Sequence, residues 1–273
     1  MSVDGERFIT FLSDYGYDDD FAGVCRGVIA RECPEARVID LTHGIPRHAT
    51  RLAALVLRNA LPYTPAGVHL AVVDPEVGAE RRGVALRTEA EDRLLVGPDN
   101  GLLSLAAARL GGIVEAVDIG RSPWRMEPVS ATFHGRDIFA PVAARLAAGE
   151  PLAAAGDPCD PASIAVLDLP RPRVEDGVLV THALAADRFG NVMLDAGHAD
   201  LTGSGVRLGR PLEVTIGGRG HRAVYAVTFA DVEPGEILVY EDAYRMLAVA
   251  VNRGSAAEQL GVAPDAELCI AAA

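Results

Sequence analysis

The sequence predicts an α/β fold: an N-terminal, mostly parallel sheet with helices on both faces, followed by a small antiparallel β-barrel. Three observations carry this. Short apolar runs alternate with amphipathic, alanine-rich stretches as far as about residue 150. A helix-poor segment punctuated by Pro151, Pro158, Pro161, Pro170 and Pro172 follows. Beyond it lie short β-like runs separated by glycine- and proline-containing turns. Alternation of strand and helix implies a parallel sheet, and many short strands with regular turns imply a barrel or sandwich. A chain of 273 residues can bury a substantial core and suits one large or two moderate domains. The expected boundaries are residues 1–165 for the α/β domain, 166–175 for a proline-rich linker and 176–273 for the barrel.

Phe8-Ile9-Thr10-Phe11-Leu12 reads as the first strand, ending at Ser13-Asp14. Asp18-Asp19-Asp20 then opens a helix through Val24, Val28 and Ile29 to about Pro34, its acids expected in the first turn, where the helix dipole favours them. Val38-Ile39-Asp40-Leu41 is a strand, residues 49–60 a helix stopped by Pro62, and Val68-His69-Leu70-Ala71-Val72-Val73 a buried strand. Residues 83–87 and Leu94-Leu95-Val96 are further strands, and residues 102–110 a helix. Residues 138–148 form another helix, which tolerates Pro141 only in its first turn. The barrel strands are Val178-Leu179-Val180, Val192-Met193-Leu194, Leu212-Glu213-Val214-Thr215-Ile216, residues 223–229, Ile237-Leu238-Val239-Tyr240, residues 247–251 and Leu268-Cys269-Ile270.

The formal charge of −13 argues against nucleic-acid binding, which needs a basic face. The cationic side chains are all arginine, so Schiff-base chemistry and a P-loop lysine are excluded. No apolar run approaches the roughly 20 residues of a membrane span. The polar first residues lead straight into a strand, so no secretory signal is expected. Cys25, Cys33, Cys159 and Cys269 lie far apart, as reduced thiols in a cytoplasmic protein would.

Two polar stretches hold the chemistry. Asp74-Pro75-Glu76-Val77-Gly78-Ala79-Glu80-Arg81-Arg82 follows the buried strand, where α/β proteins place functional loops. Asp74 reads as a general base or water-orienting carboxylate, or as a turn-capping residue before proline. An arginine there stabilises an anion and does not act as a base. Thr132-Phe133-His134-Gly135-Arg136-Asp137 supplies the second stretch. His134 is the foremost candidate for a titrating group, and Gly135 permits close approach of a ligand or an unusual backbone angle. Arg136 and Asp137 can pair with each other. In Ser13-Asp14-Tyr15-Gly16-Tyr17-Asp18-Asp19-Asp20 an aspartate can accept both hydroxyls of a ribose, hold magnesium, or cap a helix. Neither G-x-G-x-x-G nor a P-loop is present. His43 and His48 flank a turn and could line one pocket. Asp187-Arg188-Phe189-Gly190-Asn191 offers an amide that can read a nucleobase edge, or a plain turn, and Phe229 offers a ring for stacking or for a core.

Taken in order, these segments resemble the S-adenosyl-L-methionine (SAM) hydroxide adenosyltransferases, or SAM hydrolases, relatives of fluorinase and chlorinase. The resemblance rests on Leu12-Ser13-Asp14-Tyr15-Gly16, Asp40-Leu41-Thr42-His43, Val73-Asp74-Pro75 with Gly78 and Arg81-Arg82, Pro98-Asp99-Asn100-Gly101, Thr132-Phe133-His134-Gly135-Arg136-Asp137, Phe189-Gly190-Asn191, and Asn252 with Ser255-Ala256-Ala257. It implies a catalytic Asp74, Arg81 and His134 that activate water to attack C5′ of the ribose, giving adenosine and L-methionine. It places Asp14 on the ribose hydroxyls, Asp19 near the methionine amino group, Asn191 on adenine and Phe229 against its ring. No metal or cofactor is implied, SAM being the substrate. A homotrimer with inter-subunit sites, soluble in the cytoplasm and binding neither nucleic acid nor membrane, completes the expectation. Fluorinase-like proteins carry an aromatic residue and a tyrosine at the positions of Asp74 and His134, so water is preferred here over halide. An anionic Asp74 would repel halide by several kcal/mol at about 4 Å. The rival readings are a SAM-dependent halogenase, a SAM- or adenosine-binding protein without turnover, and, from the residues alone, a magnesium-dependent hydrolase using Asp14 and Asp18, Asp19 and Asp20. Glu76 and Ala243-Tyr244-Arg245 depart from the family pattern, and Arg245 is a candidate partner for the methionine carboxylate.

Overall fold

A computed structural model describes residues 7–273; the polar residues 1–6, where no secretory signal is expected, lie outside the described residues. The chain divides into two compact units, one ending at Leu167 and the other spanning Asp168–Ala273.

In the first unit, β1 (Arg7–Ser13), β2 (Ala36–Thr42), β3 (Val68–Val72), β4 (Gly83–Thr88), β5 (Leu94–Pro98), β6 (Ile113–Asp118) and β7 (Asp157–Cys159) form one sheet in the order β2-β1-β3-β5-β4-β6-β7. β2, β1, β3 and β5 pair in parallel; β4 pairs antiparallel with β5 and β6, and β7 antiparallel with β6. Five of these seven strands therefore run the same way. Sequence reading omitted β6 and β7. β6 is only half buried, and β7 contains Pro158, which lacks an N–H and is tolerated at an edge.

Helices α1 (Phe21–Glu32), α2 (Thr50–Ala60), α3 (Ser104–Arg109) and α4 (Ala140–Ala147) cover both faces. Cys25, Val28 and Ile29 of α1 and Val142 and Ala143 of α4 pack with Ile9, Phe11, Val68, Leu70 and Val72. Ala53 and Leu57 of α2 and Ala106 and Ala107 of α3 pack with Leu12, Ala71, Val73, Leu86 and Leu95. β3 thus buries alternate residues against two helical layers, which is why its sequence is a continuous apolar run. One expectation fails: Asp18, Asp19 and Asp20 are not in the first turn of α1. The helix begins at Phe21, and Asp20 caps nothing with its side chain. The Phe21 ring, 5.8 Å from Tyr15 and 5.1 Å from Phe133, fixes that start by packing.

In the second unit, β8 (Arg173–Glu175), β9 (Val178–Ala186), β10 (Val192–Gly197), β11 (Pro211–Ile216), β12 (Arg219–Tyr225), β13 (Ile237–Glu241), β14 (Met246–Val251) and β15 (Glu267–Ala272) run β10-β14-β13-β12-β11-β15-β9-β8. Pairing of β10 with β9 closes the first seven of that order into a barrel around Leu194, Leu212, Val214, Val239, Val249 and Ile270. A short helix α5 (Ala256–Leu260), capped by the Ser255 hydroxyl, packs alongside. The barrel is antiparallel at every seam but one, β12 with β13. The strand expected over residues 223–229 ends at Tyr225. Asp231 captures the N–H groups of Val227 and Thr228, both at 3.0 Å, and turns the chain there. The connection then returns to start β13 in parallel with β12. Among the described residues all four cysteines are free, and no helix is long and apolar enough to cross a membrane.

Candidate active site

Because β1, β3 and β5 are adjacent and parallel, the residues that follow them gather at one edge of the sheet: Asp14 after β1, Asp74 after β3, Asp99 and Asn100 after β5. The loop from Asp74 to Arg82 turns through Gly78, whose φ is +83°. A Cβ at Gly78 would stand 2.5 Å from the Ala131 carbonyl oxygen, so only glycine lets this loop rest against the segment leading to His134. That segment is fixed by Asp137, which is 1% exposed and accepts from the Ser130 N–H at 2.8 Å and from Arg136 Nε at 2.6 Å. His134 immediately precedes a wide π-type turn, Gly135–Phe139, which leads into α4. Such turns recur at functional sites because they re-aim side chains.

The two stretches meet through Arg81. Its Nε donates to Asp74 Oδ1 at 2.9 Å, and its Nη2 bonds both Asp74 Oδ2 and His134 Nδ1, the latter at 2.9 Å. Both side chains of the ion pair are 6% exposed, and the guanidinium lies 5.2 Å over the Phe139 ring. A guanidinium only donates, so His134 Nδ1 is an acceptor and the neutral ring carries its proton on Nε2. Burial, and then the Arg81 charge, push His134 below the ordinary imidazole value of 6.5. The ring is therefore neutral at neutral pH, with both nitrogens committed as one acceptor and one donor. Asp74 keeps lone pairs free to accept from a water.

Arg82 goes elsewhere: its Nε donates to Asp99 at 2.9 Å and its guanidinium to the Ser163 carbonyl at 2.7 Å. The structure thus pairs Arg81, not Arg82, with Asp74 and His134. Gly135 differs from expectation. The group that approaches it is the chain's own Tyr15, whose hydroxyl would stand 1.9 Å from a Cβ there. Tyr15 is wedged edge-on against Phe11 and Phe133 and tilted against Phe21. Burial first, then Cys25, Asp14 and Asp74, hold its hydroxyl well above the ordinary value of 10, so it stays neutral. Sequence reading missed Tyr15 and Phe139 as walls of the site; Phe133 and Phe139 on either side of the charged His134 stretch were a signal for the second.

Asp14 accepts the His48 N–H at 3.1 Å, and His48 adopts a φ of +64°, rare for a residue with a Cβ. His43 is buried, bonds Ser13 Oγ at 2.7 Å through Nδ1, and takes the Gly16 N–H on its carbonyl at 2.8 Å. Asp19 lines a groove of about 420 Å³ with Tyr17, Arg26, Asp40 and His43; Asp14, His48, Asp74, Arg81 and His134 do not line it. No group of three or more His, Cys, Asp or Glu among the described residues is arranged to hold a metal ion.

Comparison with known proteins decides what this edge of the sheet belongs to. The SAM hydroxide adenosyltransferase N-terminal domain matches residues 9–156, and the C-terminal domain of the same family matches residues 181–269. The chain belongs to the SAM hydroxide adenosyltransferase family. A relative from Salinispora tropica, named (R)-S-adenosyl-L-methionine hydrolase, is 50% identical over 97% of this chain and 98% of its own. A fluorinase from Nocardia brasiliensis is more distant, 28% identical over 94% of each chain. A solved structure of an uncharacterized conserved protein from Thermotoga maritima superposes with a TM-score of 0.89 at 37% identity, covering 96% of this chain and 99% of that one.

The second unit of this adenosyltransferase carries the remaining predicted residues. Asn191 donates from Nδ2 to Asp187 Oδ2 at 2.8 Å in a turn that also binds its backbone N–H. Phe229 is no core residue: it is 39% exposed, its ring 5.1 Å from that of Tyr240. Arg245 donates to Glu241 at 2.7 Å and is highly exposed.

Proposed function

We propose that this chain hydrolyses SAM to adenosine and L-methionine, with water held by Asp74, Arg81 and His134 attacking C5′. The observation that supports it most is the shared guanidinium. Arg81 bonds both Asp74 and His134, leaving the carboxylate as proton acceptor and the His134 Nε2–H as donor. Water oxygen forms a bond to C5′ while the C5′–S bond breaks, its electron pair going to sulfur as the neutral thioether of methionine. One water proton passes to Asp74 and then to solvent; the other remains on the new 5′-hydroxyl. The positive sulfonium is already a good leaving group, so the protein supplies positioning, a proton acceptor and exclusion of bulk water. The same reading gives Asp14 the ribose hydroxyls, Asp19 the methionine amino group, and Asn191 and Phe229 the adenine, in a homotrimer with inter-subunit sites. No resident metal or cofactor takes part.

The rival nucleophile is halide. Pairing with Arg81 neutralises Asp74, so bare Coulomb repulsion discriminates less than the sequence alone suggests. What favours water is a carboxylate with free lone pairs, since only water has a proton to give up. The test is incubation with SAM in oxygen-18 water with product identification. Label in the 5′-hydroxyl of adenosine is expected. 5′-Halo-adenosine without adenosine in the presence of halide overturns the reading, as does tight adenosine binding with no turnover. Loss of activity in EDTA would transfer the chemistry to a metal.

A further inference from the structure

The Asp74–Arg82 loop does not join neighbouring strands. It leaves β3 and enters β4, and β5 lies between them in the sheet. The loop therefore arches over the end of β5, and the turn leaving β5 sits beneath it. That turn holds both feet of the arch. Asn100 Nδ2 donates to the carbonyl of Val73, the residue before Asp74, at 2.9 Å. Asp99 Oδ2 accepts Arg82 Nε at 2.9 Å and Nη2 at 2.5 Å, and the Asp99 N–H donates to the Arg82 carbonyl at 3.0 Å. The anchors are themselves tied down. Asp99 is 5% exposed in its side chain and accepts the Ala165 N–H at 2.8 Å on Oδ1; Asn100 Oδ1 accepts the Leu102 N–H at 3.2 Å.

We propose that Asp99 and Asn100 are positioning residues, a clamp on both feet of the loop that sets the separation of Asp74 and Arg81 and so presents both to His134. The proposal rests on the water-activating reading above. It also explains why two adjacent arginines have different fates. Arg82 is consumed as the clamped foot, and Arg81 is left to bond Asp74 and His134.

Asn100→Asp is the discriminating variant. It keeps the shape and the acceptor for Leu102 but replaces the donor to Val73 by a second acceptor. The expected result is a fall in kcat of about 10- to 100-fold with KM for SAM within about threefold, as for a displacement near 1 Å. The His134 imidazole, followed by NMR without substrate, is expected to titrate closer to 6.5, because Arg81 is no longer held against Nδ1. Asn100→Gln, which retains an amide donor, recovers part of both. Unchanged kcat and unchanged His134 titration, with only a lower Tm, overturn the proposal. If Asn100→Asp does not fold, Arg82→Lys, which keeps the charge but not the forked contact with Asp99 and Ser163, is read in the same two ways. Should the unsubstituted protein release no adenosine, the hydrolase reading fails, while the His134 titration still decides the clamp.

Discussion

In the Asp74→Asn variant the side chain keeps its shape and loses its charge. Arg81 now meets one amide oxygen and one NH2 group, so one of its two donated bonds becomes a donor facing a donor. Both partners are 6% exposed, so solvent cannot replace the lost acceptor. Removing one partner of such a buried pair costs about 3–5 kcal/mol. The low end applies because one hydrogen bond survives. At roughly 2–4 °C per kcal/mol, Tm falls by about 6–12 °C. The rate loses the proton acceptor as well, which is worth about 10²–10⁴ in kcat. KM for SAM changes little, since Asp14 and Asp19 hold other parts of the substrate in this reading. Adenosine release followed by chromatography, beside differential scanning calorimetry, measures both. A variant within tenfold of the parent kcat and with unchanged Tm would refute the role of Asp74 as both acceptor and ion-pair partner.

Three further outcomes are expected. The acid limb of kcat/KM lies below 6.5, because His134 must stay neutral to accept from Arg81; its folded value is depressed, so its stability contribution is full above 6.5 and lost as pH falls through the folded value, and an acid limb above 6.5 in the pH–rate profile contradicts this. Gly78→Ala adds a Cβ 2.5 Å from the Ala131 oxygen at a φ of +83°, which costs about 2–4 kcal/mol and separates the Asp74–Arg82 loop from the segment leading to His134; stability to urea and kcat should both fall, and a neutral result on both is incompatible with the packing described. His69, buried between Thr10 and Arg93 and lowered by burial to about 3, stays neutral in the fold but protonates below 6.5 when unfolded; by pH 4 this removes roughly 3 kcal/mol, so His69→Gln should show a flatter loss of urea stability between pH 6.5 and 4, and an equal slope would be decisive against it.

The sequence by itself determined the two-part α/β-plus-barrel class, most strand positions, and the Asp, Arg and His that the structure joins. These are local properties. A run such as Val68-His69-Leu70-Ala71-Val72-Val73 can only be buried on both faces, and a charged loop after it must find partners. β6 and β7 escaped notice because β6 is only half buried and β7 is a three-residue edge strand containing Pro158, so neither leaves a clean periodicity. The parallel seam between β12 and β13 escaped because nothing in a strand's own residues states its partner's direction. Tertiary structure alone decided how the charged groups are shared. Arg81 and Arg82 are chemically identical in the sequence, and strand order separates them. With β5 between β3 and β4, Arg82 falls on Asp99 while Arg81 faces Asp74 and His134. The same geometry commits Nδ1 of His134 to Arg81 and puts the Tyr15 hydroxyl where Gly135 has no side chain. Contacts among residues so far apart in the chain follow from sheet order and packing, which no local pattern of residues specifies.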